Sequence, residues 1–156
     1  MSRAFVKEDD PTGGAVVLPD RMISPHPNLV TPRGLRQIEA QVAACEQALA
    51  EAGDEAAQAR AERELRYWTA RLGSARLTEA EADVATVRLG TTVTAQQADG
   101  TELKLAIVGE DEADPTTGRI AWTAPVARAL LGAEEGEVRR LPKGEIEVVA
   151  IRAGTD

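Results

Sequence analysis

The sequence predicts an α+β chain, an N-terminal antiparallel coiled-coil helical hairpin followed by a small antiparallel sheet domain with one helix. Three observations carry this prediction. Leu35, Ile38, Val42, Cys45 and Leu49 recur at alternating steps of three and four, and so do Ala61, Leu65, Trp68, Leu72 and Ala75. Such alternation places each set along one helical seam. Paired from the outside inward, Leu35 with Ala75 through to Leu49 with Ala61, every pair of position numbers adds to 110, so the chain turns back near residue 55. After Ala75 the apolar period changes from helical spacing to strand-like alternation.

Residues 1–30 carry Gly13-Gly14, Pro19, Pro25 and Pro27 with no regular apolar period, and are expected as an extended or mobile arm. His26 lies in Ser-Pro-His-Pro-Asn, with no second histidine to share a metal, and is expected as a solvated loop residue. The hairpin occupies residues 31–77. Thr31-Pro32 opens it, with a hydroxyl at the N-cap and a proline at N1, where the missing N–H is not needed. Gly53 breaks the helical pattern and sets the tip near 53–57. Cys45 and Trp68 both fall on the seam, where a thiol among Val, Leu and Trp is inert packing. Off the seam, Arg60, Arg63, Arg66 and Arg71 interleave with Glu62 and Glu64 as a solvated face.

Residues 78–156 form the sheet domain. A strand over 87–94 is interrupted at Gly90, Asp99-Gly100 marks a hairpin turn, and a second strand covers 102–108. The acidic run Glu110-Asp111-Glu112-Ala113-Asp114 lacks the ligand spacing of a calcium loop and reads as a solvated turn. A short strand follows around 120–122. Pro125 opens a helix through Val126, Leu130 and Leu131, closed by Gly132, and a last hairpin joins 138–141 to 145–151.

Composition narrows the function. Lys and Arg total 18 against 26 Asp and Glu, a net charge of −8, and aromatics are 3%. Residues 1–77 are nearly balanced and residues 78–156 carry almost all of the negative charge. Sequence-specific nucleic-acid binding needs the opposite sign, so a protein partner is favoured. One cysteine excludes an internal disulfide, and no apolar run approaches the ~20 residues that cross a bilayer, so a cytoplasmic chain with no membrane partner is expected. No phosphate loop, zinc helix or Ser-His-Asp set is present, and the chain is not expected to be an enzyme or to hold a cofactor or metal of its own. At the tip, Glu51, Asp54 and Glu55 have two readings. They suit the positive end of a helix dipole, with Asp54 as N-cap, or they are carboxylates that a rod carries into another protein's cavity to hold a metal.

Three strings resemble the bacterial transcript-cleavage factors of the GreA/GreB family. Val30-Thr31-Pro32-Arg33-Gly34-Leu35 is similar to the opening of the Gre coiled coil, Ile107 to Asp114 to its acidic-loop motif, and Ala124-Pro125-Val126-Ala127-Arg128-Ala129-Leu130 to its Ser-Pro-x-Ala-Arg-Ala-Leu motif. The resemblance covers about residues 30–152. It implies an FKBP-like C-terminal domain that docks on RNA polymerase at the secondary channel through Thr123, Ala124, Pro125 and Arg128. It also implies a monomer whose tip helps hold a Mg²⁺ of the polymerase, activating water to cleave backtracked RNA, with the polymerase owning the reaction. The matching tip reads Gly53-Asp54-Glu55-Ala56-Ala57-Gln58, so Asp54 takes the first acid's place, Ala57 stands where the second acid is expected, and Glu55 is the remaining candidate. The hairpin is shorter than a Gre arm by about eleven residues a side, ~16 Å of reach at the helical rise. The short hairpin also resembles that of Rnk, a regulator of nucleoside diphosphate kinase, which is the alternative reading. An adaptor dimerising through hairpin faces is a third.

Overall fold

The computed structural model describes residues 16–156; the first fifteen residues of the arm lie outside the described part. Two helices form the predicted hairpin, α1 (Pro32–Ala50) and α2 (Glu55–Ser74), joined by a four-residue turn that contains Gly53. Thr31 caps α1, its hydroxyl oxygen accepting from the Gly34 amide at 3.0 Å, with Pro32 in the first turn. Asp54 caps α2, accepting from the Ala57 amide at 2.7 Å. The seam is inside as its spacing requires: Ile38 and Cys45 on α1 and Ala61 on α2 are buried, and Val42, Leu49, Leu65, Trp68 and Leu72 are half-buried. Burial pushes the Cys45 thiol above its ordinary pKa and nearby Glu64 adds to this, so the thiol stays protonated as seam packing requires.

The base of the hairpin is closed by a feature too short to leave a periodic signal. Strands β1 (Leu29–Val30) and β2 (Arg76–Leu77) pair in parallel, so the chain entering α1 is bonded to the chain leaving α2. Upstream, residues 18–28 have no regular secondary structure and bend at Pro25–His26, and they lie bound against α2 rather than free in solvent. His26 departs from its expected solvated setting. It is half-buried and sits edge-on to the Trp122 ring, with centroids 5.8 Å apart.

The C-terminal domain is a five-stranded sheet in the order β5-β4-β3-β7-β6, made of β3 (Thr91–Gln97), β4 (Glu102–Val108), β5 (Arg119–Ala121), β6 (Val138–Leu141) and β7 (Gly144–Ala153). Three of its ladders are antiparallel as predicted, but β5 runs parallel to β4, so the sheet is mixed. The reason lies in residues 109–118, which double back beside the end of β4 before β5 begins, with the Ala106 amide donating to the Gly118 carbonyl. Gly118 makes this return possible. Its φ is +76°, and a Cβ there would stand 2.6 Å from the Lys104 carbonyl oxygen.

Val87 and Leu89 are buried, yet they precede the sheet instead of extending β3. The chain turns at Gly90, φ +91°, and Val87 instead exchanges hydrogen bonds with Gly132 and Ala133 beyond the short helix α3 (Pro125–Leu130). Val93, Ala95, Leu105, Ile107, Ile146 and Val148 face Ala127 and Leu130 of α3 in one apolar core, all but Leu105 at most 1% exposed. Among the described residues no helix is long and apolar enough to cross a membrane.

Candidate functional site

Three places hold the residues to which the sequence assigns a role: the hairpin tip, the start of α3, and the acidic loop. They differ sharply in how tightly the fold holds them.

At the tip Asp54, Glu55 and Glu51 are all exposed. Asp54 spends one carboxylate oxygen on the Ala57 amide, which satisfies an otherwise unpaired N–H at the helix start. Glu55 lies in the first turn of α2, where the helix dipole favours it. Glu51 accepts from the Gln47 side-chain amide at 3.1 Å, on the other helix. The helix-end reading therefore accounts for Asp54 and Glu55, but not for Glu51, which caps the C-terminus of α1, where the dipole does not favour a carboxylate. Among the described residues no three His, Cys, Asp or Glu side chains come together as a metal-holding group.

At the start of α3, Pro125 and Arg128 are exposed, and Ala124 is the N-cap without any side-chain bond to the helix. Thr123 is turned inward, its hydroxyl donating to Glu110 Oε1 at 3.0 Å. The four residues expected to act together thus divide into an outward pair, Pro125 and Arg128, and an inward one, Thr123, with Ala124 between.

The acidic loop departs most from expectation. It is a joint on which every segment converges, and not a solvated turn. Glu112 is 5% exposed; it accepts from the Thr31 hydroxyl of the α1 cap at 2.5 Å, and from Arg119 of β5 at 3.1 Å. Burial pushes the Glu112 carboxyl above its usual pKa, while the Thr31 hydrogen bond pulls the other way. Asp111 accepts from Arg71 Nε at 2.6 Å and from the Tyr67 hydroxyl at 2.5 Å, both on α2. Glu110 accepts from Ser24 of the arm and from Thr123, with its other oxygen buried 3.8 Å from Arg71 Nη2. Gly109, one residue earlier, lets the loop pass the arm; a Cβ there would stand 2.5 Å from the Leu29 carbonyl oxygen.

Arg71 is the residue this corrects. The sequence groups it with Arg60, Arg63 and Arg66 on a solvated face, but it is 2% exposed. Its guanidinium serves Asp111 and also donates to Asn28 Oδ1 at 2.8 Å, while the Asn28 amide donates to the Arg71 carbonyl at 2.7 Å. A signal was available. Arg71 follows the only tyrosine by one helical turn, so the two share a face just above the hairpin base, where a buried acidic partner has to be met by both.

Residues 81–153 match the family described as "Transcription elongation factor, GreA/GreB, C-term". The chain is 38% identical over 96 residues to a transcription elongation factor GreB of Neisseria meningitidis serogroup A, an overlap covering 58% of this chain and 59% of that protein. It is 54% identical over 52 residues to a transcription elongation factor GreA of Hyphomonas neptunium, which is 33% of each. The crystal structure of GreA factor homolog 1 (Gfh1) of Thermus thermophilus aligns over 81% of this chain and 99% of that one, at 23% identity and a TM-score of 0.40. The chain thus spans only about six-tenths of the GreB relative and a third of the GreA relative. In its residues 81–153 this chain is thus similar to the C-terminal domain of the GreA/GreB transcription elongation factors.

Proposed function

We propose that this chain is a Gre-type transcription elongation factor that binds RNA polymerase at the secondary channel, gripping through its C-terminal domain and presenting a short hairpin that stimulates RNA cleavage weakly or not at all. The observation that carries this reading is the contrast between the two ends of the hairpin. At its base a buried, hydrogen-bonded joint unites α1, α2, the arm and the family-matched domain. At its tip the one matching carboxylate, Asp54, is engaged in capping α2, and Ala57 has no oxygen to offer. Only one of the two carboxylates that the resemblance expects as ligands for the polymerase's Mg²⁺, the ion that would supply the two-metal chemistry, has its match at the tip, and no cleavage step is derived through it. Glu55, exposed beside Asp54, and Glu51 across the turn are the further carboxylates at hand. The exposed Pro125 and Arg128 supply an outward contact for the polymerase. A factor of this kind occupies the channel and competes with others for it.

Pull-down with core RNA polymerase tests the reading. Binding should survive Asp54→Ala and weaken with Arg128→Ala; no binding at micromolar concentration would overturn it. On a defined backtracked elongation complex the chain should shorten the RNA slowly, and rapid shortening that depends on Asp54 and Glu55 would contradict the weak-cleavage part. A change in nucleoside diphosphate kinase activity on adding the chain, without polymerase binding, would favour the Rnk-like alternative instead.

A further inference from the structure

We propose that residues 18–28 are a strap that fixes the hairpin in one orientation relative to the sheet domain. The segment touches all three parts whose mutual arrangement would otherwise depend on the joint alone. On the hairpin, Arg66 donates to the Leu18 carbonyl at 3.0 Å and pairs with Asp20 at 2.5 Å, and Arg63 donates to the Pro19 carbonyl at 2.8 Å. Arg21 pairs with Glu64 at 2.7 Å and lays its guanidinium 3.7 Å from the centre of the Tyr67 ring. At the joint, the Ser24 hydroxyl donates to Glu110 at 3.0 Å, and Asn28 exchanges bonds with Arg71 and donates to the Ser74 hydroxyl oxygen. On the sheet domain, His26 packs edge-on against Trp122.

The mechanics follow from where these anchors sit. Seven residues separate Glu64 from Arg71 at the joint, so the upper anchors grip the helix roughly 10 Å above it. A hinge at the base of a rod roughly 30 Å long turns a small rotation into a displacement of several ångströms at the tip. A tie attached halfway up the rod resists that rotation with a lever arm that contacts at the base lack. The upper anchors are partly exposed and each is individually weak; their contribution is to hold an angle. Arg63 and Arg66, read from the sequence as a solvated face, are the cleats to which the strap is tied.

Pulsed EPR on the full chain tests this. In a Cys45→Ala background, nitroxides at Glu51→Cys near the tip and Lys143→Cys in the β6–β7 turn report the tip-to-sheet distance; both positions are exposed. With the strap intact the distribution should be single and narrow. Arg21→Ala with Ser24→Ala should broaden it about twofold, and Arg21→Lys, which keeps the pair with Glu64 but not the stacking, should fall between. Acrylamide quenching reads strap release separately, because the strap lies against both tryptophans of the chain, Trp68 through Arg21 and Trp122 through His26. Quenching that rises while the distance distribution stays narrow would overturn the proposal, since the joint alone would then hold the angle. So would a broad distribution in the parent chain. If the double variant loses its helical circular dichroism, Ser24→Ala alone decides, and an unchanged width there with raised Trp122 quenching overturns the proposal in the same way.

Discussion

Replacing Arg71 by methionine should unfasten the joint between hairpin and sheet domain. The guanidinium is 2% exposed, and methionine fills most of its aliphatic volume, so the perturbation is chiefly the loss of charge. What remains is uncompensated. Asp111, with its side chain 11% exposed, keeps only the Tyr67 hydroxyl. Glu110 keeps a buried oxygen that has lost its nearby cation, and Asn28 loses its donor. Breaking a buried pair from one side costs about 3–5 kcal/mol, because the orphaned charge stays in a medium that solvates it poorly. For a chain of this length that lowers the melting temperature by roughly 2–4 °C for each kcal/mol, about 6–20 °C in all. Urea unfolding followed by circular dichroism measures it. The double variant Arg71→Met with Asp111→Leu should recover most of the loss, since it removes the stranded carboxylate along with the cation. A single variant within ~1 kcal/mol of the parent, the range of exposed ion pairs, would refute the reasoning and return Arg71 to the solvated face.

The chain's single tyrosine gives a clean titration. Burial first, and then its hydrogen bond to the Asp111 carboxylate, push Tyr67 up to about 12. A raised folded pKa means that the stabilisation from Tyr67 is complete below pH 10 and is lost as pH climbs towards 12; tyrosinate absorbance should rise late in the parent and earlier in Asp111→Asn, and a parent midpoint at pH 10 would contradict this. Asp54→Ala should cost about 1 kcal/mol in urea unfolding through loss of the α2 cap alone, and Asp54→Ser should restore most of it. Gly109→Ala should destabilise by about 1–3 kcal/mol, because the new methyl meets the Leu29 backbone. Hydrogen exchange should show the Arg76 and Thr78 amides losing protection first in that variant, as both are bonded to the arm strand that would have to move.

What the sequence discloses and what it conceals divide along physical lines. The hairpin was legible because a repeated step of three and four states the same information ten times, and because Gly53 falls where the paired seams require a turn. The caps were legible because Thr31 and Asp54 act on amides three residues away. Arg71 was hidden because its partner lies 40 residues on, and only its place one helical turn after Tyr67 separates it in one dimension from the exposed Arg66. The acidic loop looked solvated for the same reason. The groups that satisfy it come from the arm, α1, α2 and β5, and no local pattern announces that four segments will meet. The parallel course of β5 rests on three residues and a returning loop, too little for alternation to register.

The joint also explains why two strings far apart in the chain belong together. Thr31 uses one hydroxyl in both directions, accepting from the Gly34 amide to start α1 and donating its proton to Glu112, 81 residues on. Glycine at position 34 leaves room for that contact, because a Cβ there would stand 2.8 Å from that same Glu112 oxygen and would have to displace it. The Thr-Pro-x-Gly opening and the acidic loop are therefore the two halves of one contact, and losing Thr31 alone would leave Glu112 Oε2 buried without its donor while Arg119 still holds the other oxygen. The tip has no such constraint: the Asp54 bond is confined to its own helix, and Gly53 has nothing within 4 Å of where a Cβ would be. A mutation that removes a carboxylate at the tip leaves the joint, and with it the attitude of the rod, untouched. Changes at the tip are thus tolerated more readily than changes at the joint, and this chain carries Ala57 at the tip together with an intact Glu112–Thr31 contact.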